Sequence, residues 1–341
     1  MNLSSRGSST LPARKNRIDW IDVAKGIAIL LVIIGHTLKM GAFLRNIIFS
    51  FHMPLFFILS GYTYTPATDK KALWKHMKHH FQCLMVPCLA VSLFLVAYSV
   101  VKSDSCSLSE IGIQLWKMGQ ELFYASGVSF HGISAGMIWF IFSLFWTKIL
   151  IDCIYTFQKN EYKYCTIGCL AFVGVCLGST RHWLVQNLDV TLVALVFFYV
   201  GMLWKKYTKR VEVYAPILFG ISLVIWSVLV SYGICIEMAP RRYPMYSVCV
   251  IEAIAASFVF CMFCKNSLDY KWIKRPLTVL GADSIILFYL HHCDWILKSF
   301  WTVKGNIPET TCRRVLIILA IYLMILLLRN LKNRILVRDK S

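Results

Sequence analysis

Lys25 to His36 reads KGIAILLVIIGH, an apolar run that opens on an ammonium and closes on an imidazole. With the preceding RIDWIDVA (17–24) it supplies about 20 residues of mostly apolar sequence, the length of a helix that crosses a bilayer core. In an α-helix 11 residues advance about 16 Å and turn about 1100°, three turns plus roughly 20°. Lys25 and His36 therefore point the same way. Asp22, three residues before Lys25, joins their stripe. A charge at the bilayer centre costs about 2.5–3.5 kcal/mol on insertion scales, so this stripe is expected to face an enclosed polar cavity. Two plainer roles stay open: His36 can hydrogen-bond a neighbouring helix, and Lys25 can snorkel to the interface.

The rest of the chain agrees with a membrane location. Of its 341 residues 58% are hydrophobic and 16% charged, against about 25% charge in a typical soluble domain. The formal net charge of +19 suggests a nucleic-acid binder until its location is considered. The basic residues sit in short loops between apolar runs, with no compact basic domain, and nucleic acid is excluded as the expected partner. Most of the 13 cysteines lie inside apolar runs, as small buried hydrophobes do. Cys261 and Cys264 form a CxxC without a second ligand pair, and Cys106, Cys235 and Cys312 lie near the outer ends of runs, where one disulfide is compatible with the sequence.

Ten apolar runs are long enough to read as spans: about 20–38, 43–63, 83–101, 134–156, 164–180, 190–204, 214–236, 245–264, 277–297 and 314–329. The expected fold is an all-α polytopic membrane protein of about ten helices. Residues 1–17 form a basic, disordered tail, 18–330 one transmembrane domain, and 331–341 a second basic tail. Ten spans put both ends on one side. The loops on that side, including Lys70, Lys71, Lys75, Lys78, Lys205, Lys206, Lys209 and Arg210, hold roughly twice the lysines and arginines of the opposite loops, which assigns both termini to the cytoplasm. No small-residue cleavage pattern follows the first run, so it is not expected to act as a signal peptide. Residues 108–125, with apolar positions at Leu108, Ile111, Leu115, Met118 and Leu122, read as an interfacial helix.

Five stretches, in order, carry a family resemblance. RIDWIDVAKGIAILLVIIGH resembles the first span of the acyltransferase 3 family of membrane-bound O-acyltransferases, whose first motif is a basic residue, ten residues, then His. FSFHMPLFFILSGYTY (Phe49–Tyr64) resembles the family's Ser-Gly motif, in the form typical of the branch similar to fucose 4-O-acetylase. MIWFIFSLF, LVALVFFYVGMLWKKY and LGADSIILFYLHH resemble later segments. In the third span, where the family often has an RxxR pair before a proline, this chain reads HFQCLMVP, with His80 and Cys83 in place of the arginines.

The resemblance implies acyl transfer from cytoplasmic acyl-CoA, usually acetyl-CoA, to a hydroxyl on an extracytoplasmic glycan, in the cell membrane. Acetyl-CoA enters as donor substrate, and no permanently bound cofactor or metal is expected. His36 is the expected general base, a role suited to an imidazole near neutrality. Lys25 is the expected point charge for donor phosphate or pantetheine groups. Asp22 lies about 20 Å along the helix from His36, so an ordering partner must come from another span, with His52, Ser60 and His291 as candidates. Ser60 and the Gly61 amide are candidate oxyanion donors, although small residues also serve close helix packing. Trp139 is a candidate pocket wall, or an interfacial anchor. Ser284 and His291, seven apart, share a face of the ninth span. Glu252 is expected to have a structural partner. KHMKHH (75–80) has His at helical metal-ligand spacing but is read as a solvated basic loop. A homodimer is one assembly the sequence allows. A different class stays open beside the enzyme. Membrane domains resembling this family are fused to serine racemases and assigned to serine uptake, so a transporter without acyl chemistry is the alternative. The sequence lacks the paired broken-helix pattern of inverted-repeat carriers.

Overall fold

The fold comes from a computed structural model that describes residues 17–102, 107–129, 132–180, 183–266 and 270–338. Helices account for nearly all of its regular structure, and no strand occurs among the described residues. The expected N-terminal tail, Arg17 excepted, and Cys106 lie outside those residues.

In chain order the helices are α1 (Asp19–Gly35), α2 (Phe43–Tyr62), α3 (Lys70–His80), α4 (Val86–Lys102), α5 (Leu108–Tyr124), α6 (Trp139–Phe157), α7 (Lys163–Ser179), α8 (Leu188–Lys206), α9 (Thr208–Val213), α10 (Ala215–Ser231), α11 (Tyr246–Asn266), α12 (Lys271–Ala282), α13 (Ser284–Cys293), α14 (Lys298–Trp301) and α15 (Ile307–Arg338). Among the described residues, six helical segments are long and apolar enough to cross a membrane: Phe43–Tyr62, Lys70–Lys102, Gly136–Phe157, Val185–Lys206, Tyr246–Asn266 and Ile307–Lys332. The other four expected spans fall short for visible reasons. Helices α1, α7 and α10 have 17 residues each, about 25 Å against a core of about 30 Å, and α1 also carries Asp19, Asp22 and Lys25. The ninth expected span is interrupted at Asp283, where α12 stops and α13 begins.

Two further differences concern the expected boundaries. KHMKHH is helix, not loop: it belongs to α3, capped by the Asp69 side chain accepting from the Ala72 amide at 2.9 Å, and His80 is buried. The third span thus begins at Lys70, not 83. Between α3 and α4 the chain makes a π-helical turn, Phe81–Met85. Pro87 explains its place. A proline lacks the N–H that would bond the carbonyl four residues earlier, and one extra residue per turn relieves the clash. At the other end, the expected tail from 331 continues α15 as helix to Arg338.

The core is where α1, α2, α6, α8, α11 and α13 meet, built on Phe51, Leu55, Phe57, Ile58, Phe197, Phe198 and Leu287. Glycines let the central pairs approach backbone to backbone. A Cβ at Gly61 would collide with the Phe198 carbonyl of α8, and one at Gly201 with the Ile58 carbonyl of α2. Gly26 and Gly281 do the same for α1 and α12. At the α1 start, Trp20 meets Tyr62 edge-on at 5.4 Å and Trp204 at 5.8 Å, so the end of α2 lies beside the beginning of α1. The loop after α10 is pinned by a buried cluster. Arg241 donates to Asp189 at 2.9 Å, Asn187 at 2.5 Å and Ser126 at 3.0 Å, and covers the Trp183 ring at 4.1 Å. Helix α5 has the expected extent and buries none of its residues.

Candidate active site

His36 is the C-cap of α1, with helical backbone angles and its amide bonded to the Val32 carbonyl at 3.1 Å. The helical phase from Lys25 therefore runs through to it. Its ring keeps an exposed surface that opens into a cavity of about 360 Å³. The cavity wall includes His36; Arg45, Phe49 and His52 of α2; Trp139 at the start of α6; and Glu237 and Arg242 of the loop pinned by Arg241.

The polar rim is ordered by charge. Arg45 Nη1 donates to Glu237 Oε1 at 2.8 Å, and its guanidinium lies 3.8 Å from the Phe49 ring centre. Arg242 reaches the other oxygen of Glu237 at 3.3 Å. Phe49 stands between the histidines, 5.5 Å from His36 and 4.5 Å from His52, centre to centre. His52 points Nδ1 at the Ile48 carbonyl at 3.0 Å. A carbonyl can only accept, so Nδ1 carries the proton and a neutral His52 presents a bare Nε2.

Behind His36 lies His291, its ring centre 5.3 Å away and itself buried. His291 Nδ1 is 2.8 Å from Asp294 Oδ2. Arg314 of α15 grips both carboxylate oxygens, Nε to Oδ2 at 2.6 Å and Nη2 to Oδ1 at 2.9 Å. Trp301 closes the back, its indole N–H on the Asp294 carbonyl at 3.0 Å and its ring 4.6 Å beneath the guanidinium. A carboxylate held by a fork of arginine N–H groups stays ionised and fixes the proton of His291 on Nδ1. His291 Nε2, which has no hydrogen-bond partner, is left as a lone-pair site.

Several candidates lie elsewhere. Ser60 and Gly61 occupy the last turn of α2, about 12 Å along the helix from His52 and outside the cavity lining. Gly61 is packed against Phe198. Ser284 begins α13, about 10 Å along that helix from His291. Lys25 also lies outside the lining. It sits within electrostatic reach of Asp22 and of Lys148 on α6, and Asp22 is paired with Arg17 at 3.0 Å. Glu252 is buried, with the Ser50 side chain as its polar neighbour. Cys235 and Cys312 are free thiols.

The sequence reading missed Asp294, Arg314, Arg45 and Glu237. Asp294 follows His291 by three residues, helical contact spacing, and Arg314 heads the last apolar run. An ionisable residue at such a place was itself the signal. Glu237 lies in a loop, and only the folded chain brings it to Arg45.

A segment of 168 residues is 30% identical to nodulation protein NolL of Mesorhizobium japonicum, covering 46% of this chain and 41% of that protein. The chain thus spans less than half the length of that relative. No solved structure matches. The family profile described as "Acyltransferase domain" matches residues 18–329, nearly the whole helical bundle, and the chain belongs to this acyltransferase 3 family of membrane proteins.

Proposed function

We propose that this membrane acyltransferase moves an acetyl group from cytoplasmic acetyl-CoA to a hydroxyl of an extracytoplasmic glycan, with His36 as general base. The observation that carries the reading is the opening of His36 into a walled cavity with a charged rim, backed by the His291–Asp294–Arg314 chain.

In the proposed reaction a bare nitrogen of His36 takes the proton of the acceptor hydroxyl as its oxygen attacks the thioester carbonyl. The tetrahedral oxyanion then collapses, the carbon–sulfur bond breaks, and the His36 imidazolium returns its proton to the departing CoA sulfur. His291 is a positioning residue. Its Nε2, unpaired in the structure, lies behind His36 and in the proposed reaction takes up a His36 N–H as substrate binds, selecting which His36 nitrogen is free to act, the orienting role that such second imidazoles and carboxylates play. Arg45 retains N–H groups beyond the one on Glu237 and is the proposed electrostatic support for the oxyanion. The acceptor sugar lies along Trp139 and the rim. Lys25, about 16 Å from His36 along α1, holds donor groups near the cytoplasmic end, and the pantetheine arm bridges that offset. The same reading places both termini in the cytoplasm of a multi-pass protein of the cell membrane.

Purified protein in nanodiscs should transfer radiolabelled acetyl groups from acetyl-CoA to a sugar acceptor, and His36→Ala should stop transfer while eluting as folded protein. Transfer at the wild-type rate by His36→Ala would end the mechanism. Uptake of a small amino acid without acetyl transfer would end the enzymatic reading. A reporter fused to the C-terminus and active only outside the cell would reverse the topology.

A further inference from the structure

A second polar cluster lies at the opposite end of the bundle from the His36 cavity, beside the last turn of α2 and the start of α1. The proposed reaction at His36 gives its residues no role, and His80 stands where the family often has an arginine. His76 and His80 are four apart on α3, so both rings leave the same helix face. Facing them on α6 is Asp152, which is fully buried. His76 Nδ1 lies 3.0 Å from Asp152 Oδ2, and one ligand atom from each of His76, His80 and Asp152 falls within 4.8 Å of the others.

We propose that His76, His80 and Asp152 form a binding site for a divalent transition-metal ion of the zinc class. Two imidazoles one helical turn apart plus a carboxylate from another element make a common three-ligand set for zinc, which leaves a fourth position for water or a further oxygen. Hard cations such as Mg²⁺ prefer all-oxygen sites, so the two imidazoles select the borderline metals.

The surroundings fit this role. The Ala67 amide donates to Asp152 Oδ1 at 2.8 Å. That bond fixes the carboxylate plane and leaves Oδ2 facing the histidines, as outer hydrogen bonds orient ligating carboxylates in metal sites. Tyr64 Oη lies 2.7 Å from Asp152 Oδ2 and 3.0 Å from His80 Nε2, next to where a fourth ligand is needed. A path for the ion exists too: the His76 side chain is 31% exposed while Asp152 is closed off. Lys148, whose ammonium lies 5.6 Å from the Tyr64 ring centre, opposes the ion. The Asp152 carboxylate offsets it. A bound ion ties α3 to α6 and to the 64–67 turn, just before the π-helical turn at Phe81–Met85.

The test uses the full chain in detergent, purified on a histidine-free tag and stripped with a chelator. Co²⁺ is titrated by its visible absorption, and Zn²⁺ by displacement of Co²⁺. One Co²⁺ per chain with the intense bands of a low-coordinate site, displaced by one Zn²⁺, is expected. His76→Gln and His80→Gln should each abolish that signal, and His79→Gln should keep it. His79 contacts Cys83 Sγ at 3.7 Å on the exposed side of the helix, so it reports adventitious binding. Asp152→Asn risks misfolding because Asp152 also holds the Ala67 turn. His76→Gln, at the exposed edge, is therefore the deciding variant. Absence of stoichiometric binding would overturn the site, as would binding that survives His76→Gln or disappears in His79→Gln.

Discussion

His36 and His291 place their rings 5.3 Å apart, one at the wall of a cavity and the other buried behind it. In the proposed reaction the pair divides the work of one base between a residue that meets substrate and a residue that meets the protein. In the proposed mechanism His36→Ala removes the proton acceptor, and kcat should fall by about 10²–10⁴-fold, the usual contribution of a general base. His291→Asn should lower kcat while leaving the KM for acetyl-CoA near its wild-type value. Steady-state kinetics in nanodiscs separates the two.

Asp294 and Arg314 make a buried ion pair with two hydrogen bonds. Removing one partner of such a pair strands the other charge and costs about 3–5 kcal/mol. Arg314→Ala should therefore lower thermal stability in detergent markedly. Asp294→Asn leaves a neutral, hydrogen-bonding side chain beside Arg314. It should destabilise less and lower kcat more than Arg314→Lys does.

Lys25 lies outside the cavity lining and near Lys148. If it holds donor groups, Lys25→Ala should raise the KM for acetyl-CoA by about 10-fold or more, the equivalent of roughly 1.4 kcal/mol, with a smaller change in kcat. Unchanged donor affinity, measured by titrating a non-hydrolysable acetyl-CoA analogue, would remove Lys25 from the donor site.

Arg45 and Glu237 join α2 to the loop that forms the far wall of the cavity. Glu237→Gln keeps the shape and weakens the clamp, so it should raise the KM for the acceptor and leave that for the donor alone. Arg45→Ala should affect kcat as well, because it also removes the proposed oxyanion support. Initial rates with each substrate varied in turn distinguish these outcomes.

Gly61→Ala places a methyl where the Phe198 carbonyl lies, and overpacking of this kind costs about 1–3 kcal/mol. Gly112→Ala on α5 meets nothing within 4 Å and improves helix propensity by up to about 1 kcal/mol. Thermal unfolding in one detergent should move the two variants in opposite directions.

Much of this was legible in the chain before folding. The helical phase from Lys25 to His36 follows from eleven residues and 100° per residue, and the folded helix keeps it through the C-cap. His52 and Trp139 were named from their segments, and the structure brings both to one wall with His36. Ser60 and Gly61 show where linear reading fails. A Ser-Gly pair has two uses, and only the position of Phe198 tells which surface touches it. The Arg45–Glu237 contact joins residues 192 apart in sequence, which no local pattern encodes. The α3 helix was hidden because its mean composition is polar. Its Asp69 cap and the apolar positions Ala72, Leu73, Trp74 and Met77 carried a helical signal that charge obscured.

The π-helical turn at Phe81–Met85 sets a rotational offset between the two halves of one long rod. Below it the rod presents His76 and His80 to Asp152; above it Cys88, Ser92 and Val100 are the buried positions. Deleting one residue within the turn would restore regular winding and swing one half by about 100° relative to the other. Either the imidazoles or the upper seam would then face lipid. A single codon thus holds two faces of the protein in register.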